Sequence, residues 1–127
     1  MKHAFSGYLN GAERILLAPA PAEFQLKLAF AADQQALLYL PTDNQRQYPV
    51  QLKVTAQRLA LFTNHQHKSW VLPAVAPYLL VTCTIAGFTW RYGKQSSFVP
   101  LPRLPQQRLV ILGSQSPLDY QVTIWTK

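Results

Sequence analysis

A chain of 127 residues suits one domain, and a hydrophobic content of 49% excludes a disordered polymer. Twelve Lys and Arg against five Asp and Glu give a net charge of +7, which suits an anionic partner. The single cysteine, Cys83, excludes an intrachain disulfide, and no apolar run approaches the roughly 20 residues of a membrane helix. We therefore expect one cytoplasmic domain over residues 1–127 that does not enter a membrane.

Apolar and polar residues alternate along most of the chain, with the period of two that is typical of half-buried strands. In EFQLKLAFA (23–31), the phenylalanines and leucines share one face, whereas Gln25 and Lys27 lie on the other. The same alternation recurs at 48–55 and 119–127. Further strands are predicted at 3–9, 14–18, 35–40, 79–92 and 107–112.

One short helix is predicted at 55–65, where Leu59 and Phe62 lie three apart behind Thr55 as a candidate N-cap. A further strand is the alternative there. The proline-rich segments 72–77 and 99–105 are predicted to be connectors or edges, because proline lacks a backbone donor. These elements predict an all-β fold, a compact antiparallel barrel with one short helix, with a β-sandwich as the alternative.

Residues that could carry catalysis are few and scattered. The five acids are widely spaced, and neither a nucleophile elbow nor a phosphate-binding loop is present. Cys83 lies in an apolar run, which favours a buried and inert thiol. His65 and His67 could share a face and bind a metal, but the third imidazole would have to be His3. We therefore predict no catalytic residue, no cofactor and no metal.

The segment TIAGFTWRYGKQSS (84–97) holds three aromatic residues two apart, with basic residues among them. If the predicted strand 79–92 runs straight through Gly87, the rings project from the polar face. A bulge at Gly87 would send them into the core instead. We favour the exposed arrangement, since an aromatic and basic sheet face can bind single-stranded nucleic acid by stacking and phosphate neutralisation. The predicted contact residues are Phe88, Trp90, Arg91, Tyr92, Lys94, Lys53, Lys27 and Trp125.

The order of segments resembles the OB-fold of bacterial single-stranded-DNA-binding proteins and of primosomal PriB-type proteins. The similar pieces are FSGYL (5–9), FQLKLAF (24–30) and VTCTIAGF (81–88). The resemblance implies an OB-like core over 3–112, followed by an extra strand within 113–127. It also implies DNA contacts at Trp90, Arg91, Tyr92, Lys94 and Lys53. The acidic C-terminal tip of that family is replaced by DYQVTIWTK.

The leading hypothesis is therefore a non-enzymatic OB-like module that binds single-stranded nucleic acid, DNA rather than RNA, alone or as a homo-oligomer. The alternative is a β-sandwich interaction subunit, a structural piece of a larger secretion, phage or defence complex. In that case the basic charge would meet an acidic protein partner.

Overall fold

The computed structural model describes residues 2–10, 13–21, 23–31, 33–40, 50–62, 67–84, 86–100, 107–114 and 116–126. These residues form twelve strands and, within those ranges, no helix. The strands are β1 (Lys2–Asn10), β2 (Glu13–Pro21), β3 (Phe24–Phe30), β4 (Ala36–Leu40), β5 (Val50–Val54), β6 (Arg58–Phe62), β7 (His67–Val71), β8 (Leu79–Thr84), β9 (Gly87–Tyr92), β10 (Gln95–Pro100), β11 (Gln107–Ser114) and β12 (Pro117–Thr126).

The strands make two antiparallel sheets of six. Sheet A has the order β1-β12-β3-β8-β9-β10, and sheet B has the order β2-β11-β4-β5-β6-β7. Leucines and valines from both sheets form one buried cluster, so the sheets pack face to face as a sandwich. The all-β prediction and its sandwich alternative are confirmed. The prediction of a barrel is wrong, because each sheet keeps two edge strands and does not close on itself.

The predicted helix at 55–65 is also wrong, because the chain turns at 55–58 and continues as β6. The Thr55 hydroxyl accepts hydrogen bonds from the N–H groups of Gln57 (3.2 Å) and Arg58 (3.1 Å), as a helix N-cap would. The backbone then extends, and Leu59 pairs with Val54 across a hairpin. Residues 63–65 of the predicted helix lie outside the described residues.

The predicted strand 79–92 is two strands, β8 and β9, and the chain reverses direction between Thr84 and Gly87. Thr84 pairs with Gly87, and Val81 pairs with Trp90 further along the hairpin. Directly opposite residues of an antiparallel pair lie on the same face, so the aromatic residues join the apolar face of β8. The exposed fractions are 0% for Phe88, 0% for Trp90 and 4% for Tyr92.

Gly87 explains why the chain reverses at this point. Its φ of 152° belongs to a region that residues with a side chain rarely adopt, so glycine permits the turn into β9. The predicted face of exposed rings is therefore not formed. Its three aromatic residues fill the core, and only Thr89 and Arg91 of β9 point away from it.

Replacing Trp90 by alanine should lower the free energy of unfolding by about 3–5 kcal/mol, because the lost indole leaves a large cavity. The neighbouring exposed change Arg91→Ala should stay within about 0.5 kcal/mol of the parent protein. Urea denaturation followed by circular dichroism measures both. Equal effects of the two substitutions would contradict the burial of Trp90.

Gly87→Ala should cost about 1–3 kcal/mol, since a side chain is strained at this φ. Thr89→Ala changes an exposed residue of the same strand and should cost much less. Thermal unfolding of both variants tests this. A Gly87→Ala protein as stable as the parent would show that the turn does not depend on glycine.

Candidate functional site

The eight predicted contact residues do not meet on one surface. Phe88, Trp90 and Tyr92 are core, and Lys94 lies in the turn between β9 and β10. The remaining cationic and aromatic residues divide between the outer faces of the two sheets. Lys27, Arg91 and Trp125 lie on the outer face of sheet A, and Lys53 lies on the outer face of sheet B.

On the outer face of sheet A, Lys27 and Arg91 already contact neighbours. The Lys27 ammonium nitrogen lies 4.6 Å from the ring centroid of Tyr78, which is a cation–π distance. Arg91 donates a hydrogen bond from Nε to the carbonyl oxygen of Gly93 (3.3 Å). Because of these contacts, the Lys27 ammonium and the Arg91 guanidinium are less available to bind a ligand at the outer face of sheet A.

On sheet B, strands β5, β6 and β7 align their outward side chains in three rows. Two rows take one residue from each strand, because the register pairs β5 with β6 and β6 with β7. The third row begins at Thr55, directly after β5. Neighbouring rows are two residues apart, or roughly 6.8 Å. The rows are Gln51–Phe62–His67, Lys53–Ala60–Ser69 and Thr55–Arg58–Val71.

A groove of about 230 Å³ opens among these rows, and we call it the sheet-B groove. Its lining consists of Lys53, Thr55, Arg58, Ala60, Phe62, His67 and Ser69. Ala60 occupies the centre of the three rows and is 8% exposed. A methyl group at the centre, with longer side chains around it, leaves a depression where a larger residue would leave none.

Phe62 and His67 form one wall of the sheet-B groove. Their ring centroids are 4.5 Å apart and their planes differ by 13°, so the rings are stacked. The pair is a direct cross-strand pair between β6 and β7. The flat ring pair therefore lies at the surface, next to the polar side chains of the middle row.

The remaining lining side chains provide hydrogen-bond donors. Lys53 and Arg58 bring an ammonium and a guanidinium group, and Ser69 brings a hydroxyl group that can donate and accept. Within the described part of the chain, no hydrogen bond or ion pair engages the Lys53 ammonium or the Arg58 guanidinium. The groove thus combines an apolar surface with unengaged donors.

No metal site is seen among the described residues, where His, Cys, Asp and Glu nowhere gather in threes. His3 lies on β1 of sheet A and His67 on β7 of sheet B, so they belong to different sheets. His65 lies outside the described residues. The thiol of Cys83 is buried in the core. The ranges that the structure covers contain no helix that could cross a membrane.

Four other grooves in the described residues are larger, but none of them is lined by two cationic side chains beside a stacked ring pair. One, of about 550 Å³, lies between residues 73–76 and 92–95 and is lined mainly by small apolar side chains. Another, of about 450 Å³, lies beside Gly7 and Tyr120. The one charged residue of its lining, Asp119, already pairs with Gln34 through two hydrogen bonds.

No protein-family model matches the sequence, and no curated protein is similar to it in sequence. The fold has many relatives among solved structures. The GH32 β-fructofuranosidase of Bombyx mori aligns at a TM-score of 0.68 and 11% identity, over 98% of this chain but only 27% of the enzyme. The carbohydrate-binding module CBM66 of Bacillus subtilis aligns at 0.60 and 11%, over 88% of this chain and 80% of the module. A toad ovary galectin in complex with thio-digalactose aligns at 0.57 and 8%, over 96% and 97%.

These similarities correct the resemblance to OB-fold single-stranded-DNA-binding proteins, which is wrong. The structural relatives are sandwich folds of carbohydrate-binding proteins and glycosidases. The prediction that the partner is single-stranded nucleic acid is wrong as well. It depended on the OB-fold and on exposed rings at 88–92, and the structure has neither.

The stacked ring pair should contribute a small coupling energy of its own. In a double-mutant cycle of Phe62→Ala and His67→Ala, the free energies of unfolding should be non-additive by about 0.2–1 kcal/mol, as for other cross-strand pairs. Urea denaturation of the four proteins measures this coupling. Strict additivity would show that the rings do not interact in solution.

Proposed function

We propose that this protein is a non-enzymatic carbohydrate-binding β-sandwich module, and that the sheet-B groove is its saccharide site. The observation that carries the proposal is the stacked Phe62–His67 pair beside unengaged donors at an exposed sheet face. The proposal replaces the nucleic-acid hypothesis and makes the β-sandwich alternative more specific.

Saccharides have two recognisable surfaces. The C–H groups of a sugar ring form an apolar face, and its rim carries hydroxyl groups that both donate and accept hydrogen bonds. A fitting site therefore needs a flat apolar surface and a few well-placed polar groups. The rings of Phe62 and His67 supply the first, and the side chains of Lys53, Arg58 and Ser69 supply the second.

The size of the sheet-B groove favours part of a chain over a fully enclosed ligand. About 230 Å³ is below the roughly 300–1,000 Å³ of pockets that enclose drug-sized molecules. Its three rows cross three strands at an open sheet face. A saccharide would lie along this face, with one or two units in the groove and the rest in solvent.

Structural relatives support the same reading without deciding it. CBM66 is a carbohydrate-binding module, and the toad galectin was solved with thio-digalactose bound. Their identities of 8–11% carry the fold only. The side chains of the sheet-B groove are what support saccharide binding by this chain.

The absence of carboxylates from the groove lining supports binding over hydrolysis. Glycosidases generally flank the bond that they cleave with two Asp or Glu side chains. None of the seven residues that line the sheet-B groove is acidic. The chain corresponds to about a quarter of the length of the Bombyx mori enzyme at 11% identity, so that similarity concerns the fold alone.

A protein interface is the second candidate, and a specific observation favours it. Val71 and Val75 are 65% and 66% exposed, and both lie near the end of β7. Exposed aliphatic side chains of this kind are common where subunits meet. This reading places the partner at the end of β7 and requires no saccharide.

Binding to a glycan microarray, followed by titration calorimetry with the best saccharide, tests the proposal. Phe62→Ala removes one ring and Ala60→Leu fills the groove, and each should weaken binding at least tenfold, or about 1.4 kcal/mol. Phe98→Ala is the matched control, because Phe98 is an exposed ring (52%) on the outer face of sheet A. It should leave the affinity unchanged.

Absence of binding to every saccharide would overturn the proposal and favour the protein interface. Equal losses in Phe62→Ala and Phe98→Ala would show that the saccharide does not use the sheet-B groove. Circular dichroism of each variant confirms that the affinities belong to folded protein.

A further inference from the structure

We propose that the saccharide is anionic, with a carboxylate or sulfate group held between Lys53 and Arg58. This inference rests on the proposed function and specifies its ligand class. It starts from the charge of the sheet-B groove, which has two cationic side chains (Lys53 and Arg58) and no acidic one.

The described acids do not lie on this face. Glu23 precedes β3, Asp33 lies between β3 and β4, and Asp119 belongs to β12 of sheet A. Glu13 begins β2, the edge strand of sheet B that is furthest from β7. Among the residues that the structure describes, β4 to β7 thus bring no carboxylate to neutralise the groove. Asp43 lies outside the described residues.

The cations of the groove differ from those of sheet A in what they contact. Lys27 lies over the ring of Tyr78, and Arg91 donates to a backbone carbonyl. Lys53 and Arg58 have no such contact with any described residue. Their charge and their donors are therefore directed to solvent or to a ligand.

The strand register brings Lys53 and Arg58 close together. Lys53 pairs with Ala60 across the β5–β6 hairpin, and Arg58 lies two residues before Ala60 on the same face. Such diagonal neighbours have backbone positions roughly 7–8 Å apart, within reach of long side chains that converge on one group. A carboxylate or sulfate could accept two hydrogen bonds from the planar guanidinium and a further one from the ammonium.

The ring pair and the two cations of the sheet-B groove then have separate roles. The rings of Phe62 and His67 lie at one end of the three rows and would contact an apolar sugar face. Arg58 lies at the other end, two rows away. A saccharide unit on the rings would thus place its neighbouring substituent near the cations, so that a charged substituent is favoured over a hydroxyl group.

Matched polysaccharides test this inference by affinity electrophoresis and calorimetry. Polygalacturonate is compared with its full methyl ester, and dextran sulfate with dextran. The acidic member of at least one pair should bind tenfold or more tightly than its neutral partner. The pair that shows the difference identifies the anion as a carboxylate or a sulfate. Polyglutamate, an anion without sugar rings, should bind much more weakly than the acidic polysaccharide.

Charge-matched variants locate the effect. Lys53→Gln with Arg58→Gln should weaken binding of the acidic polysaccharide at least tenfold. Lys27→Gln with Arg91→Gln removes the same charge from sheet A. This variant should change the affinity for the acidic polysaccharide by less than about twofold, as expected for distant exposed charges. Lys53→Arg with Arg58→Lys keeps the charge and should retain most of the affinity.

The outcomes separate this inference from the proposed function. Equal binding of neutral and acidic polysaccharides would overturn the anionic ligand but leave carbohydrate binding intact. Equal losses in the two glutamine pairs, or equally tight binding of polyglutamate, would show that net charge alone attracts the ligand. Absence of binding to any polysaccharide would overturn both proposals.

Discussion

The pairing of Thr84 with Gly87 is the constraint on which the rest of the structure depends. It reverses the chain between β8 and β9 and places β9 beside β8, with Val81 opposite Trp90. The aromatic residues of β9 thereby enter the core, where Trp90 contacts Trp70 of sheet B at 5.2 Å between ring centroids. One tight turn thus supplies the largest core side chain and helps to join the two sheets.

The same turn decides which surface remains for a ligand. With its large rings buried, the outer face of β9 keeps only Thr89 and Arg91. Sheet B instead carries its stacked rings outward, on β6 and β7, beside Lys53 and Arg58. The candidate site therefore lies on the sheet opposite to the one that the aromatic segment 88–92 indicates.

The alternation of apolar residues was sufficient to predict the all-β class and strands close to β1, β3, β4, β5 and β12. It failed where local signals have two readings. Thr55 caps a hairpin turn with the same hydroxyl contacts that begin a helix, and Gly87 ends one strand and begins the next. The choice between barrel and sandwich depends on distant pairings such as β1 with β12, which no local pattern records.

The candidate site was harder to predict than the fold because it depends on register. The sequence predicts Lys53 as a contact residue, but it places Phe62 in a helix and His67 in a candidate metal pair. Their pairing follows from the alignment of β6 with β7, which also places the small residue Ala60 opposite Ser69 in the neighbouring row. Residues 67–71 show no alternation that indicates a strand, because three consecutive polar residues precede Trp70.

Amide chemical-shift mapping tests most directly whether the outer face of sheet B binds saccharide. A ¹⁵N-labelled sample is titrated with an oligosaccharide of whichever polysaccharide binds most tightly. The largest shifts should fall on β5, β6 and β7, at residues 51–54, 58–62 and 67–71. Largest shifts on β3, β8 and β9, or around the groove between 73–76 and 92–95, would contradict the account.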